Sequence, residues 1–321
     1  MTRKTRIWLI AASALVAVGM IICGGVMAML KWDFKKLSTV TYETNRYEIA
    51  EDIQNIVIET DTANIILAAS EDGKTVVECC ERKGFGHSVK TENGTLEIKS
   101  ADTGKWYDRI GIGFQTPKIT VYLPAGEYGA LSVRSATGHT EIPSGFTFQS
   151  MDISATTGGV KNEASAVGNV KISTSTGNIR IAGVNANALE LSVSTGKITV
   201  SNVTCTQDMQ IKVNTGDTKL TDVSCAKLSS EGTTGDLGLT NVTASEKLDI
   251  QRSTGDVTFE SCDAGEIFVK TTTGTIRGTL RSEKIFMPHS NTGSIRVPET
   301  ESGGKCKLVT NTGNIKIEIL K

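Results

Sequence analysis

The sequence predicts an all-β protein: a parallel β-solenoid (β-helix) of about 19–20-residue coils with Thr-Gly turns, preceded by a single N-terminal transmembrane helix. Three observations carry this. Ten Thr-Gly pairs place glycines at 138, 158, 177, 196, 216, 235, 255, 274, 293 and 313, so every interval is 19 or 20 residues. A fixed period of this size is the mark of stacked repeats. Apolar residues keep fixed offsets from each glycine, and residues 7–30 carry no charge.

The chain divides accordingly into a basic tail (1–6), a transmembrane helix (7–30), a stalk or linker (31–52), irregular N-terminal coils capping the solenoid (53–130) and regular repeats (131–321). An uncharged run of 24 residues exceeds the roughly 20 needed to span a bilayer and the roughly 7–15 of a signal-peptide core, so it reads as an uncleaved anchor. Arg3, Lys4 and Arg6 precede it, and Lys31, Lys35 and Lys36 follow it with Asp33 among them. The short basic tail is expected to stay inside, leaving a single-pass protein whose C-terminal domain is extracytoplasmic. Ile22 stands before Cys23 where lipid attachment would want a small residue.

Between the anchor and the first Thr-Gly, strands are expected at Ile56-Val57-Ile58, Thr75-Val76-Val77-Glu78, Leu96-Glu97-Ile98 and Lys118–Leu123. Ala63 stands where a turn glycine would, with Ile56, Ile58, Thr60 and Thr62 behind it and Ile65 and Leu67 ahead. Gly94 invites the same reading, with Val89 and Thr91 behind and Leu96 and Ile98 ahead. Gly84-Phe85-Gly86-His87 and Gly104-Lys105-Trp106-Tyr107 read as loops leaving the stack, Trp106 and Tyr107 covering its end.

In the repeats, the positions seven and five before each glycine and two and four after it are mostly Leu, Ile, Val, Met or Phe. Positions two apart share one strand face, so each coil is a strand, a Thr-Gly turn, a strand and a second corner. At a spacing of about 4.8 Å, nine steps make a rod roughly 43 Å long. The turns are built from Thr176-Gly177, Thr195-Gly196, Thr215-Gly216, Thr234-Gly235 and Thr254-Gly255 and their equivalents. By parity with the apolar columns, these threonines are expected to point inward or to cap the corner against the next coil.

Composition restricts function. A net charge of −1 argues against nucleic acid as a partner. The seven cysteines match no zinc spacing. Cys205, Cys225 and Cys262 fall in columns of small apolar residues; Cys205 and Cys225, one coil apart, are also within disulfide reach. Cys79 and Cys80 would face opposite sides of a strand, which supports no metal site. Asp217, Asp236 and Asp256 follow the turn glycine in three successive coils. About 4.8 Å apart, they would repel unless screened or bound to a cation, so this column is the candidate metal site, with Ca2+ as its ion. Equally, Asp is simply favoured in tight turns. No nucleophile–base or paired-carboxylate site assembles from the columns, so no catalytic residue and no organic cofactor are expected.

Ile56-Val57-Ile58-Glu59-Thr60, Lys118-Ile119-Thr120-Val121-Tyr122-Leu123-Pro124 and the recurring Ser/Thr-x-Thr-Gly-x-Ile pattern of Ser173–Ile179 resemble a bacterial domain family of unknown function labelled "putative adhesin", over about residues 50–321. The resemblance implies a membrane-spanning N-terminus and an extracytoplasmic repeat domain, linked in some members to envelope stress. The expected function is a non-enzymatic adhesion or interaction scaffold with an envelope protein or a glycan as partner. The small polar column of Ser175, Ser194, Asn214, Thr233, Ser253, Thr272 and Asn291 supplies its face. The alternatives are a filament formed by end-to-end stacking at the strand edge of residues 315–321, an envelope-stress accessory protein, and a cation-binding or polysaccharide-acting β-helix.

Overall fold

The computed structural model describes residues 3–102, 111, 113 and 115–320; the Gly104–Tyr107 stretch lies outside them. Helix α1 (Arg3–Met29) is long and apolar enough to cross a membrane, a test that an N-terminal signal sequence also passes. After a short 3-10 helix (Phe34–Leu37), the regular structure of the described residues is all β, wound as the expected parallel solenoid.

Strand β1 (Tyr42–Ile49) is followed by β2 (Asn55–Thr62), β3 (Asn64–Ala69), β4 (Thr75–Arg82), β5 (Phe85–Glu92), β6 (Thr95–Asp102), β7 (Lys118–Leu123) and β8 (Gly126–Thr137). The β2–Ala63–β3 segment is a true first rung. Ile56, Ile58 and Thr62 pair with Leu131, Val133 and Thr137 of β8, and the Ala63 N–H donates to the Thr137 carbonyl.

Three N-terminal expectations need correction. The stalk contains β1, which pairs antiparallel with β4 from Tyr42–Arg82 to Ile49–Thr75; its charged residues Glu43, Arg46 and Glu48 are exposed. Gly94 is no coil corner. Asn93 and Gly94 both have positive φ, 51° and 70°, and join β5 to β6 as an antiparallel hairpin, the turn for which Asn-Gly is suited. Nor is the Gly84–His87 stretch a loop: Phe85 to His87 begin β5, with the turn confined to Lys83 and Gly84. The solenoid therefore begins under antiparallel strands: β1, β4 and β7 on one side, β5 and β6 on the other. Edge pairing of this kind satisfies backbone groups that a bare first rung would leave open.

From β8 onward the apolar columns are buried as expected. Leu131, Met151, Val170 and Leu189 form one ladder, and Val133, Ile153, Ile172 and Leu191 form the next. Each fully buried aliphatic side chain stabilises by about 1.5–3 kcal/mol. At the corner, every turn glycine but Gly293 of the terminal rung donates its N–H to the carbonyl of the next rung's threonine, as from Gly177 to Thr195 at 3.0 Å. Gly177 has φ 151°, and a Cβ there would overlap the Gly158 carbonyl oxygen, so close rung-to-rung approach as well as conformation requires glycine. The second corner is also a ladder: Asn202, Asp222, Asn241 and Ser261 all have φ of 53–55°.

The threonines, however, face outward. All ten preceding the glycines are exposed. The ladder runs from the Ala155–Thr174 pair directly to Thr157–Thr176, leaving out Thr156 and Ser175. That bend costs one step of alternation, so inward parity ends three residues before the glycine. Capping falls to that third residue. The hydroxyls of Thr174, Thr310 and Ser290 donate to the corner carbonyls of Gly158, Gly274 and Gly313 at 3.1, 3.0 and 2.9 Å.

The last two coils are exchanged in space. Strand Val257–Thr273 pairs with Gly304–Thr312, which pairs in turn with Lys284–Thr292. The C-terminal strand Ile315–Ile319 is correspondingly sandwiched between Ile276–Leu280 and Ile295–Arg296. The expected open edge is thus covered at Ile315 and Lys316 only, and the terminal rung is the one bearing Gly293. Its Ile295, an inward position elsewhere, is 45% exposed.

Candidate functional site

The post-glycine column is built from hydrogen-bond acceptors. Asp217 Oδ1 accepts from the Asp236 N–H at 3.3 Å, Asp236 Oδ1 from the Asp256 N–H at 2.8 Å, and Asp256 Oδ1 from the Thr275 N–H at 2.8 Å. Asn64, Asn178 and Asn314 do the same for His139, Lys197 and Ser294. The second oxygen of Asp217 takes Lys197 Nζ at 2.8 Å. That bond first, and the Asp236 N–H second, hold the Asp217 carboxyl below its ordinary value. Repulsion along the column is therefore offset by donors belonging to the chain. The structure brings the three aspartates together in register and gives each a backbone partner.

Beside this column run the exposed threonines and, next to them, Ser175, Ser194, Asn214, Thr233, Ser253, Thr272 and Asn291, all exposed. The result is a double file of hydroxyls and amides along one corner of the rod. Between Asn64 and Arg180 the corner deepens into an open groove of about 640 Å³. His139, Asn178, Glu141 and Lys161 line it, with Lys161 Nζ 2.8 Å from Glu141 Oε1. Gly159 contributes no side chain, and its N–H donates to His139 Nδ1 at 2.9 Å.

A second place carries chemistry that the columns did not reveal. Under the N-terminal strands lies a cavity of about 630 Å³, lined among others by Tyr42, Thr60, Arg82, Phe85 and His87. His87 is buried against its wall. Its Nε2 lies 2.9 Å from Thr60 Oγ1 and its Nδ1 lies 2.9 Å from Glu81 Oε2. The His87 N–H donates to the same Glu81 oxygen at 2.8 Å, and Asn45 Nδ2 donates to Oε1 at 2.7 Å. Cys79 lies two residues before Glu81 on the same buried face of β4. Burial first, and the Glu81 carboxylate second, push its thiol up to about 12. In sequence, His87 is masked by Gly84 and Gly86 before it, which suggest a loop. The usable signal is the Cys-x-Glu alternation in β4, which puts two ligand-type side chains on the inward face.

A third anomaly lies in mid-rod. Arg252 occupies an inward position and is 4% exposed. Its Nη2 donates to Ser230 Oγ at 2.8 Å and to Thr218 Oγ1 at 3.4 Å, while Nε and Nη1 have no hydrogen-bond partner among the described residues. Burial lowers it to about 10. Ser230 and Thr218 are the polar exceptions in columns otherwise rich in Ile, Leu and Val, and Gly232 leaves room for the guanidinium. These four exceptions form one buried cluster.

The seven cysteines are free thiols. Cys205 and Cys225 pack in the small-residue column as expected, and burial raises them to about 11 and about 12.

The fold and its corner ladders define a class: parallel β-solenoids with Thr-Gly corners. Residues 53–318 match the family described as Toastrack DUF4097, and the chain belongs to that family. Among solved structures, a "putative adhesin" from Parabacteroides merdae is similar at 12% identity, covering 74% of this chain and 96% of that one with a TM-score of 0.50. A "putative adhesin" from Parabacteroides distasonis is 11% identical over 87% of this chain and 98% of its own, TM-score 0.46. A "putative lipid binding protein" from the same species is 17% identical over 74% and 96%, TM-score 0.47. At these identities the likeness is one of fold. No curated protein matches the chain.

Proposed function

We propose that this protein is a non-enzymatic interaction scaffold, anchored by α1 as a single-pass membrane protein with the solenoid outside the cytoplasm, and that its partner is a glycan of the cell envelope. The observation that carries this reading is the double file of exposed hydroxyls and amides along the Thr-Gly corner, deepening into the groove between Asn64 and Arg180. Such a surface offers many individually weak hydrogen bonds at a repeat of about 4.8 Å and suits an extended polar polymer. The likeness to the "putative adhesin" from Parabacteroides merdae supports an adhesion-like role. The test is binding of the full chain in detergent to cell-wall glycans and envelope proteins. Glycan binding that falls about tenfold or more in His139→Ala and Arg180→Ala supports the reading; absence of glycan binding sinks it.

A second reading, end-to-end assembly, is favoured by the exposure of Ile285, Met287 and Ile295 on the terminal rung. Pro288 in that rung donates no ladder hydrogen bond and opposes it. Sedimentation of the detergent-solubilised chain decides: concentration-dependent oligomers abolished by Ile295→Lys support assembly, and a monomer at all concentrations rejects it.

A further inference from the structure

Cys79, Glu81 and His87 come from two strands joined by a tight turn, yet one ligand atom of each lies within 4.8 Å of the other two, and all three residues are buried. We propose that these three residues form a zinc site whose fourth ligand is a water from the adjoining cavity.

The donor set is thiolate, imidazole and carboxylate, the three that zinc accepts at about 2.3, 2.0–2.1 and 2.0–2.2 Å. Three protein ligands with one open position is the arrangement of sites that handle a ligand rather than merely hold a fold. The surrounding bonds are those such a site needs. Thr60 Oγ1 engages His87 Nε2 at 2.9 Å, which fixes the ring and leaves Nδ1 directed at Glu81. Asn45 Nδ2 holds the other Glu81 oxygen at 2.7 Å. Outer partners of this kind orient ligands, and their loss weakens metal affinity by about 10–100-fold. The ion takes the place of the proton between Nδ1 and Oε2. That pair, 2.9 Å apart, would open to about 3.3 Å to accept tetrahedral zinc. Charge also balances, because one thiolate and one carboxylate neutralise a divalent cation in a buried setting where an unpaired charge is costly. Binding displaces the thiol proton.

The test uses the full chain in detergent, stripped of metal and titrated with Co2+ alone as a spectroscopic stand-in for zinc. The expected result is one equivalent bound, a thiolate-to-cobalt charge-transfer band, and displacement by Zn2+. Cys79→Ser should remove the band and weaken binding at least about 100-fold, while Cys205→Ser leaves both unchanged. Absence of stoichiometric binding by the wild-type chain overturns the proposal, as does a band that survives Cys79→Ser. Should Cys79→Ser fail to fold, Asn45→Ala replaces it. Asn45 touches no metal, and its loss should weaken Co2+ binding about tenfold with the band retained; unchanged affinity would count against the site.

Discussion

Arg252 gives the most exacting test of how the solenoid is held together. Its side chain is buried, and no carboxylate ion pair to it exists among the described residues. At about 1.4 kcal/mol per pH unit, a fall from 12.5 to about 10 is a cost on the order of 3 kcal/mol. Because the folded value lies below the unfolded one, this cost is present in full at pH 7 and fades as pH rises through about 10. Replacing Arg252 by valine, the residue at the equivalent positions 193 and 213, removes it. The substitution also strips hydrogen bonds from Ser230 and Thr218 at about 1 kcal/mol each, leaving a net gain of about 1 kcal/mol. Gly232→Val alone should destabilise by about 1–3 kcal/mol, because its side chain would overlap the guanidinium. In the double variant the valine fills the vacated space and adds about 1.5–2 kcal/mol, so the pair should exceed wild type by about 3 kcal/mol. Urea melts of the four proteins at pH 7, with unchanged m-values, measure this cycle. A loss above about 3 kcal/mol in Arg252→Val would show the guanidinium to be paired in solution, and a neutral Gly232→Val would show that it is not seated against Gly232; either refutes the reasoning.

Two further predictions concern the corner. Gly177→Ala should cost about 3 kcal/mol or more, since both its φ of 151° and its contact with the Gly158 carbonyl exclude a Cβ; a urea midpoint within error of wild type would contradict this. In the aspartate column, Asp217 has a depressed folded value, so its stabilisation is present above the ordinary carboxylate range, about 3.9, and is lost as pH falls through the folded value. Asp217→Asn should therefore flatten the acid limb of the stability curve by lowering stability at neutral pH, with little change once the wild-type carboxyl is protonated. The proposal of Ca2+ at Asp217, Asp236 and Asp256 makes a separable claim. It requires a melting temperature that rises with Ca2+ and a rise that vanishes when all three are asparagine, whereas the backbone bonds predict no shift in either protein.

Much of the fold was legible because a solenoid writes its core as columns. The offsets from each glycine fall on buried ladders such as Leu189, Leu191, Ile198 and Val200, while the buried Val193 and Val213, three before their glycines, lie outside them. The orientation of the threonines was not legible, because parity counts every residue as one step and the corner leaves one out of the ladder. Arg252 left a trace in Ser230 and Thr218, each polar where its column is mostly apolar, but neither points to its partner without the register. The His87 cluster was hidden for a different reason. It joins β4 to β5 across a hairpin outside the repeat, where no column exists to show an exception.

The exchange of the last two coils shows what periodicity leaves undecided. Coils of 19 and 20 residues fit one another's register in any order, so spacing cannot rank them along the rod. Core quality can. The Gly313 coil offers Cys306, Leu308, Ile315 and Ile317, each buried to 2% or less once covered on both sides. The Gly293 coil offers Phe286, Pro288, Ile295 and Val297, and Pro288 lacks the N–H that an interior rung would use. Placing the proline-bearing coil outermost leaves its imperfect ladder facing solvent and buries the better apolar set. The chain achieves this by crossing from Val297 to Gly304 without a strand and returning beneath the rung it has just made. Pro288 thus acts as the end marker of the stack, a role that belongs to its missing donor rather than to its place in the repeat.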